Sequence, residues 1–403
     1  MPSSSRPPDM VTSSAQCHLP HPKSDHMDCR SSETPDNPLH DYVVGGKHPH
    51  DLANSVRPTK KRRTVVTEGR TTEYLDLTKP DEELTSEDYL QINRLHSALH
   101  NKKKIVAVVG AGISVSAHVP LFSSPTGLFR NIEEQHNIKG PRTFLFDVSV
   151  YKHPETIQAF HAMVRQLAVT TQKAKPTPFH HLLASLAGDN RLLRLYSQNI
   201  DCIDTSMEPL ATQVPLNPKG PWPATIQLHG SLGKMRCTKC SRLEPLDPEV
   251  FEGPEAPLCR SCEDVDHART THAGKRSHGI GRLRPHFVLY NEDNPDAEAI
   301  GKVSAADLNA RPDAVLVVGT ALKVHGTRRL VKEMCKATRE QKDGLAIWIN
   351  TQDAPNCAGL KDCWNLVVKS DCDKVAQIVN LPRYDAGVDD DHVSSSQSYR
   401  GSP

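Results

Sequence analysis

Two short polar motifs in the middle of the chain carry side chains that could do chemistry. They are Gln198-Asn199-Ile200-Asp201, which begins two residues after the run 192–196, and His229-Gly230-Ser231, which directly follows the run 225–228. Carboxamide and carboxylate groups can hold an amide through paired hydrogen bonds, and catalytic groups collect where strands end in open α/β sheets. Asn199 and Asp201 could equally be turn formers, and a lone His229 would more often be structural. Whether these residues have a functional role must therefore be judged from the rest of the chain.

Four cysteines behind the second motif have the spacing of a metal site. Cys237-x-x-Cys240 is separated by eighteen residues from Cys259-x-x-Cys262, and two such thiolate pairs can close a tetrahedron around zinc. Four thiolates leave no open position, so the pattern predicts one structural zinc ion. The competing interpretation, four ordinary packing cysteines, would need this spacing by chance. The chain has 11 cysteines, an odd number, and no N-terminal apolar segment, which indicates a reducing compartment.

A glycine-rich turn upstream could approach a phosphate. Gly110-Ala111-Gly112-Ile113-Ser114 follows an apolar run immediately, so its glycines let the backbone turn tightly and bring amide groups against a pyrophosphate. The third glycine of the dinucleotide fingerprint is missing, because Val115 stands at its position. Alone, such a turn is weak evidence for a nucleotide site.

A continuous apolar run rich in β-branched residues at 105–109, and five similar runs after it, must position these motifs. They predict buried parallel strands with helix-length segments between several of them, and they cover residues 105–109, 192–196, 225–228, 287–290, 314–318 and 345–349. A capping box at Thr85-Ser86-Glu87-Asp88 predicts a helix start, and a further helix is expected around 327–340. The alternation predicts an α/β fold, a Rossmann-type doubly wound parallel sheet with helices on both faces.

Composition divides the chain into a folded part and two tails. Ten of the 31 prolines fall within the first 80 residues, among polar residues that cannot bury enough apolar surface to offset chain entropy. We therefore expect disordered tails at 1–83 and 383–403, the second acidic and Ser-rich, and one folded domain over 84–382. No apolar run approaches the roughly 18 residues of a membrane span, so we expect no membrane partner.

Positive and negative charges nearly balance over the whole chain, but one cluster of positive charge lies in the N-terminal tail. The net charge is only +1, so no global field draws the protein to nucleic acid or membrane. The run Arg57-Pro58-Thr59-Lys60-Lys61-Arg62-Arg63 places five cations within seven residues of the N-terminal tail. It is typical of a nuclear import signal or of an arm that touches nucleic acid, and an ordinary solvated charge run is an equal alternative.

Taken together and in order, these motifs resemble those of the sirtuins, the NAD-dependent protein lysine deacylases. The resemblance spans roughly residues 105–375. The best match is the fungal class I branch that acts on histones, judged by Leu289-Tyr290-Asn291-Glu292-Asp293 and the turn at 322–326. The matching segments are 110–114, 198–201, His229-Gly230, the four cysteines, 319–324, Ile349-Asn350 and Asp371-Cys372-Asp373.

The resemblance implies a large Rossmann-type domain carrying a smaller zinc-ribbon plus helical module, inserted at about 230–283. NAD and an acetyl-lysine would meet in the cleft between them. The acetyl oxygen would attack the anomeric carbon of the nicotinamide ribose, so that nicotinamide leaves and O-acetyl-ADP-ribose forms.

The resemblance also implies roles for single residues. His229 would be the general base on a ribose hydroxyl, and Asn199 and Asp201 would hold the nicotinamide and ribose region. A short strand would pair with the substrate peptide, formed by Val288, Leu289 and Tyr290. Further contacts to NAD are expected from Gly110, Ala111, Gly112, Ile113, Phe122, Gln198, Gly319, Thr320, Asn350, Cys372 and Asp373.

One segment departs from the family pattern. Where the family usually reads Gly-Ile-Pro-Asp-Phe-Arg, the chain has His118-Val119-Pro120-Leu121-Phe122-Ser123. The usual acid and arginine are therefore replaced by Leu121 and Ser123, while Phe122 is kept. An arginine that orders the NAD-binding loop would contribute charge-assisted hydrogen bonds, which Ser123 cannot supply.

The expected function is a nuclear NAD-dependent protein deacetylase that acts on acetylated histone lysine in chromatin, with a role in gene silencing or genome maintenance. Two rival interpretations keep the same fold. One is a chromatin scaffold that binds NAD with weakened turnover, and the other is a protein mono-ADP-ribosyltransferase. Direct nucleic-acid binding is not established by the sequence.

Overall fold

The computed structural model describes residues 71–120, 132, 134–136, 142–357 and 359–385. Within these residues, ten strands and seven α-helices form the regular structure. The strands are β1 (Glu73–Asp76), β2 (Ile105–Val109), β3 (Leu192–Ser197), β4 (Thr225–Gln227), β5 (Gly230–Cys237), β6 (Leu243–Pro245), β7 (Leu283–Phe287), β8 (Ala314–Val318), β9 (Leu345–Asn350) and β10 (Leu366–Lys369). The helices are α1 (Ser86–Asn101), α2 (Pro154–Lys173), α3 (Pro178–Gly188), α4 (Arg260–His267), α5 (Ala297–Ala310), α6 (His325–Arg339) and α7 (Cys372–Val379).

Seven of the strands form one parallel sheet in the order β1-β10-β9-β8-β2-β3-β4. The central strands β2 and β8 are apolar throughout because both faces of the sheet are covered. One face packs against residues of α1, α3 and α7, and the other packs against α5 and α6. The structure therefore confirms the doubly wound parallel sheet. Strands predicted at 105–109 and 314–318 have those bounds in the structure.

The helices begin where local chemistry predicts. The Thr85 hydroxyl accepts the Asp88 amide at 3.2 Å and the Asp88 carboxylate accepts the Thr85 amide at 2.9 Å, so the capping box that opens α1 is confirmed. The helix expected around 327–340 is α6, which begins two residues earlier, at His325. No helix in the described part of the chain has the length and apolar character needed to cross a membrane.

The strand expected at 287–290 is wrong in both position and sheet. β7 ends at Phe287 and pairs antiparallel with β5, which also pairs with β6, so these three strands form a second sheet. The residues after β7 are apolar because Leu289 packs into a third buried cluster, not because a strand continues. β7 itself contains Arg284 and Pro285, so it lacks a continuous apolar run.

The expected end of the N-terminal tail at residue 83 is wrong. The chain contributes β1 to the edge of the main sheet, paired in parallel with β10. Leu75 and Leu77 are each 1% exposed, and two buried leucines in a polar context are too few to produce a strand pattern. The other domain boundaries stay a prediction. Residues 1–70 and 386–403 lie outside the described residues.

A buried ion pair fixes α5 against the sheet. Arg194 of β3 donates from Nε and Nη2 to the two carboxylate oxygens of Asp307, both at 3.0 Å. The hydroxyl of Tyr196 donates to the same carboxylate at 2.7 Å. The side chains of Arg194 and Asp307 are only 10% and 3% exposed, so neither charge can be satisfied by water if the other is removed.

We expect Asp307→Ala to lower the free energy of unfolding by about 3–5 kcal/mol, because it leaves a buried guanidinium unpaired. The matched control is Glu298→Ala, which removes an exposed carboxylate paired with Lys302 on the same helix and should change stability far less. Urea unfolding of both variants measures the difference. Equal destabilisation in the two variants would show that helix position, rather than the buried charge, sets the stability at this face.

Candidate active site and metal cluster

The carboxyl edge of the parallel sheet gathers most residues expected to contact NAD. Gly110 follows β2, Gln198 follows β3, Gly319 follows β8 and Asn350 ends β9. The Gln198 side-chain amide donates to the last carbonyl of β2 at 3.1 Å and to the Thr320 hydroxyl at 2.9 Å. The Asn350 side chain donates to the Thr320 carbonyl at 2.8 Å. Two side-chain amides therefore tie four strand ends into one surface.

The glycine turn lies directly against the end of β8. The Gly112 amide donates to the Gly319 carbonyl at 2.8 Å, and a Cβ on Gly112 would lie 2.5 Å from the Gly319 Cα. Gly319 has φ +61°, a left-handed conformation that favours glycine. Ala111 and Ile113 complete the turn, with Ile113 buried. The turn at residues 110–114 is therefore a close backbone packing at the sheet edge, where a pyrophosphate would bind in an open α/β fold.

A buried polar network lies beside this turn. The Ser114 hydroxyl donates to the Asp201 carboxylate at 2.7 Å, and the Asn199 Nδ2 lies 3.4 Å from the Ser114 oxygen. Asn199 is 3% exposed, and its Oδ1 has no hydrogen-bond partner among the described residues. A buried amide oxygen without a donor is costly. The amide N–H of a nicotinamide would satisfy it, so this observation fits the predicted NAD site.

Asp204 is a buried neighbour of this network that sequence reasoning missed. Its carboxylate is 1% exposed, and one oxygen has no partner among the described residues. Burial and the neighbouring Asp201 charge raise the pKa of Asp204 to about 7. Burial also raises the pKa of Asp201, although hydrogen bonds from Ser114 and the Ile203 amide oppose that shift. The only signal in the sequence was a second aspartate three residues after Asp201.

His229 is oriented by the strand next to its own. It follows β4, is half-buried, and its Nδ1 lies 3.0 Å from the Gln198 carbonyl oxygen. A carbonyl only accepts, so Nδ1 carries the hydrogen and Nε2 carries the lone pair. Burial lowers the pKa of His229 below its usual 6.5, with the Gln198 carbonyl opposing the shift. The ring is therefore neutral at neutral pH, with Nε2 available as a base.

Cys372 and Asp373 reach the same edge from the start of α7. The Cys372 thiol lies 3.7 Å from the Gly112 carbonyl, and burial raises its pKa to about 12, so it is a neutral packing group. Asp373 accepts the Phe179 amide at 3.0 Å and the Ser116 hydroxyl. Cys372 therefore lies against the glycine turn, and Asp373 ties the start of α7 to the start of α3 and to Ser116. Phe122 lies outside the described residues, as do Leu121 and Ser123.

The segment expected to pair with a substrate peptide already has several partners. The Val288 amide donates to the His229 carbonyl at 2.9 Å, and the Tyr290 amide donates to the Phe146 carbonyl at 2.7 Å. The Leu289 amide donates to the Glu292 carboxylate at 3.0 Å. Three consecutive amides are thus used within the chain, which leaves a substrate strand only the remaining backbone groups. The substrate contact at 288–290 stays a prediction.

The four cysteines of the zinc motif come together in space. Their sulfur atoms all lie within 4.8 Å of one another, with Cys237 and Cys262 at 3.7 Å and Cys240 and Cys259 at 3.8 Å. A tetrahedron with Zn–S bonds of about 2.3 Å has sulfur–sulfur edges of about 3.8 Å. The Lys239 and Cys240 amides point at the Cys237 sulfur, which stabilises a thiolate. The arrangement fits one closed, structural zinc ion.

A parallel sheet that gathers a glycine turn, a buried amide network and a histidine at one edge defines a nucleotide-binding protein of the Rossmann type. The Sir2 family model matches residues 110–326. The chain therefore belongs to the Sir2 family, the sirtuins, and the resemblance found in the sequence is confirmed.

Several fungal relatives are similar over most of the chain. The chain is 49% identical to the NAD-dependent protein deacetylase hst4 of Emericella nidulans over 349 residues, which is 86% of this chain and 57% of that protein. It is 40% identical to hst4 of Schizosaccharomyces pombe over 78% of this chain and 75% of the relative. It is 35% identical to the NAD-dependent histone deacetylase HST4 of Saccharomyces cerevisiae over 81% of this chain and 90% of the relative.

Solved structures share the fold at lower identity. A Sir2 protein with a deacetylated p53 peptide and an acetyl ADP-ribose aligns with TM-score 0.52 at 20% identity, covering 72% of this chain and 96% of that one. A second, solved to explain sirtuin substrate affinity, aligns with TM-score 0.51 at 20% identity, covering 73% and 98%. At this identity, the likeness supports the fold.

We expect Cys237→Ser to abolish zinc binding and to unfold the smaller sheet, because the binding energy of such a site is largely folding energy. The control is Cys357→Ser, a thiol outside the cluster, which should retain one zinc ion per chain. Metal analysis and hydrogen exchange over residues 230–287 measure the two effects. Zinc retained in the Cys237 variant would remove that residue from the ligand set.

We also expect Asp204 to make the protein less stable as pH rises. A carboxyl whose pKa is raised from 3.8 to about 7 binds its proton more tightly in the folded state. Stability from this group is present below the unfolded pKa and is lost as pH rises through the folded pKa. Between those two pH values, the unfolding free energy of the parent should fall as pH rises. The unfolding free energy of Asp204→Asn should depend less on pH.

The difference between the two proteins reports on the pair formed by Asp204 and Asp201, because buried histidines such as His180, whose pKa burial lowers to about 3, contribute equally to both. Asp264→Asn, on an exposed residue, is the matched control and should keep the parent slope. Parallel profiles for parent and Asp204→Asn would mean that Asp204 is ionised throughout.

Proposed function

We propose that the chain is an NAD-dependent protein lysine deacetylase that acts on acetylated histone lysine and releases nicotinamide and O-acetyl-ADP-ribose. The observation that carries the proposal is the orientation of His229, whose Nδ1 donates to the Gln198 carbonyl, so that a neutral Nε2 is available as a base. Membership of the Sir2 family and the names of the fungal relatives, which are NAD-dependent protein and histone deacetylases, support it.

Different residues would contact the nicotinamide, the phosphates and the rest of NAD. Asn199 Oδ1, buried and with no donor among the described residues, would accept from the nicotinamide amide, and Asp201 would lie beside the ring. The glycine turn 110–113 and Thr320 would approach the phosphates, and Asn350 and Cys372 would line the remaining nucleotide surface. When bound, NAD supplies an anomeric carbon from which nicotinamide can depart.

His229 would take a proton from a ribose hydroxyl. The hydrogen bond to Gln198 fixes its tautomer, and burial keeps its pKa below 6.5, so no deprotonation step is needed at neutral pH. Gly230 follows with φ +73°, and a Cβ there would lie 2.4 Å from the His286 carbonyl oxygen. The chain after His229 must therefore turn sharply into β5, which holds the imidazole at the rim of the smaller module.

Acetylated peptides would bind between the sheet edge and the segment 288–290. We extend the proposal to chromatin as the physiological substrate and to the nucleus as the location, on the strength of the histone deacetylase relatives and of the basic run at 57–63. That run lies outside the described residues, so its role rests on its composition.

We expect His229→Ala to lower kcat/KM for deacetylation by roughly 10²- to 10⁴-fold while leaving the unfolding transition intact. The control is His153→Ala, on an exposed histidine. In the parent, kcat/KM should stay close to its neutral-pH value when the pH falls to the usual histidine pKa of 6.5, because the base form persists to lower pH when the pKa is lowered. Mass spectrometry of an acetylated histone peptide, with and without NAD, measures the product.

The outcomes separate the competing functions. Nicotinamide release without deacetylated peptide, with ADP-ribose found on protein, would identify a mono-ADP-ribosyltransferase. NAD binding with no nicotinamide release would identify a scaffold and would implicate the replacements at Leu121 and Ser123. Near-normal turnover in His229→Ala would remove His229 from the reaction.

A further inference from the structure

One surface of the zinc module carries cations that the proposed reaction does not use. Residues 267–286 contain five lysines and arginines and four histidines, with no aspartate or glutamate. Every residue from 271 to 280 is exposed. We name residues 267–280 the cationic arm. It leaves the end of α4, passes through a short π-helical turn at Ala268–His272 and returns to β7.

Two side chains outside the arm, those of Asp266 and Lys239, hold its backbone in one shape. Asp266 accepts the Ser277 hydroxyl at 2.7 Å and the His278 amide at 2.8 Å. Lys239, beside the zinc cluster, donates to the His278 and Gly279 carbonyls at 2.8 and 2.6 Å. A surface whose backbone is already ordered loses less conformational entropy when it binds a partner.

Three cations of the arm form no ion pair with any of the described residues. Arg282 pairs with Glu255 and Arg284 pairs with Glu292, so those two belong to the body of the module. Arg269, Lys275 and Arg276 lie in no ion pair in the described part of the chain. Arg269 instead donates to the Arg276 carbonyl at 2.8 Å. The tip therefore presents unpaired positive charge on a chain whose net charge is only +1.

We propose that the cationic arm binds the phosphate backbone of duplex DNA. Phosphate contacts need cations and ordered donors and carry no requirement for apolar anchors. Stable protein interfaces instead depend on buried aromatic or aliphatic anchors. Residues 271–279 contain no aliphatic side chain larger than alanine and no Phe, Tyr or Trp, and Ile280, at the end of the arm, is its single exposed large apolar side chain. The composition of the tip therefore favours a nucleic-acid backbone over an acidic protein surface.

Strands β5 and β7 connect the arm to the candidate active site. β5 and β7 pair from Gly230 with Phe287, next to His229, to Cys237 with Leu283, next to the arm. At about 3.3 Å per residue, a strand of this length separates the two ends by on the order of 20 Å. DNA held by the arm would keep nearby acetylated lysines at high effective concentration. Only this last consequence rests on the proposed deacetylase function; the DNA contact does not.

The test uses the full chain with Lys60, Lys61, Arg62 and Arg63 replaced by alanine, so that the basic run of the tail cannot substitute for the arm. In this background, Lys275→Glu with Arg276→Glu is compared with its parent for binding to a histone-free DNA duplex over a series of salt concentrations. We expect the dissociation constant to rise on the order of tenfold, and the salt-dependence slope to fall by about two, because two phosphates would no longer be neutralised by the arm.

The matched control is Lys173→Glu with Lys175→Glu, which makes the same charge change on exposed residues at the end of α2 and should bind DNA nearly as the parent does. Equal weakening in both variants would overturn the proposal, because net charge alone would then explain binding. Weakened binding to nucleosomes with unchanged binding to free duplex would also overturn it and assign the arm to an acidic protein surface. Deacetylation of a free peptide, measured in parallel, reports separately on the proposed function.

Discussion

The contact between the backbones at Gly112 and Gly319 sets where the rest of the site can lie. β2 and β8 are neighbours in the sheet, and their pairing continues past the strand ends through the amides of Gly110 and Gly112. A Cβ at either glycine would lie within 2.8 Å of the other's Cα, so any side chain would push the two turns apart. That displacement would also break the hydrogen bonds from the Gln198 and Asn350 side chains to Thr320. These side-chain amides are within hydrogen-bond distance of Thr320 only while the two turns are in contact. The nucleotide surface thus depends on two positions where no side chain fits.

The zinc cluster has a comparable role in the smaller module. That module has only three strands, and three of the four cysteines are part of its buried core. Gly281, where the cationic arm returns, leaves no room for a side chain, since a Cβ would lie 2.4 Å from the Cys237 sulfur. β5 then leads from this cluster to Gly230 and His229. The metal therefore supports both ends of the module, the imidazole at one and the arm at the other, and its binding energy takes the place of a larger apolar core.

The sequence allowed the main sheet and the zinc ligands to be predicted because each has a local signal. A buried parallel strand such as β8 is a continuous apolar run. The spacing of two Cys-x-x-Cys pairs predicts a metal site with four thiolate ligands. β1 and β7 lack such a signal, since one depends on two buried leucines and the other contains Arg284 and Pro285. Asp204 was missed for a different reason: its raised pKa comes from burial and from the Asp201 charge, both properties of the folded chain. The partners of the Val288 and Tyr290 amides are likewise set by residues distant in sequence.

The two buried aspartates suggest how the site is matched to its ligand. Like charges oppose each other in a low-dielectric site, so the pair keeps one proton at mildly acid pH. Asp204, with one oxygen that has no partner in the described part of the chain, is the better proton carrier, while Asp201 accepts bonds from Ser114 and the Ile203 amide and so favours the ionised form. A single buried negative charge beside Asn199 suits the cationic pyridinium ring of NAD. Neutral nicotinamide lacks that attraction, so under the proposed function the same charge would hold the intact dinucleotide more strongly than the departing ring.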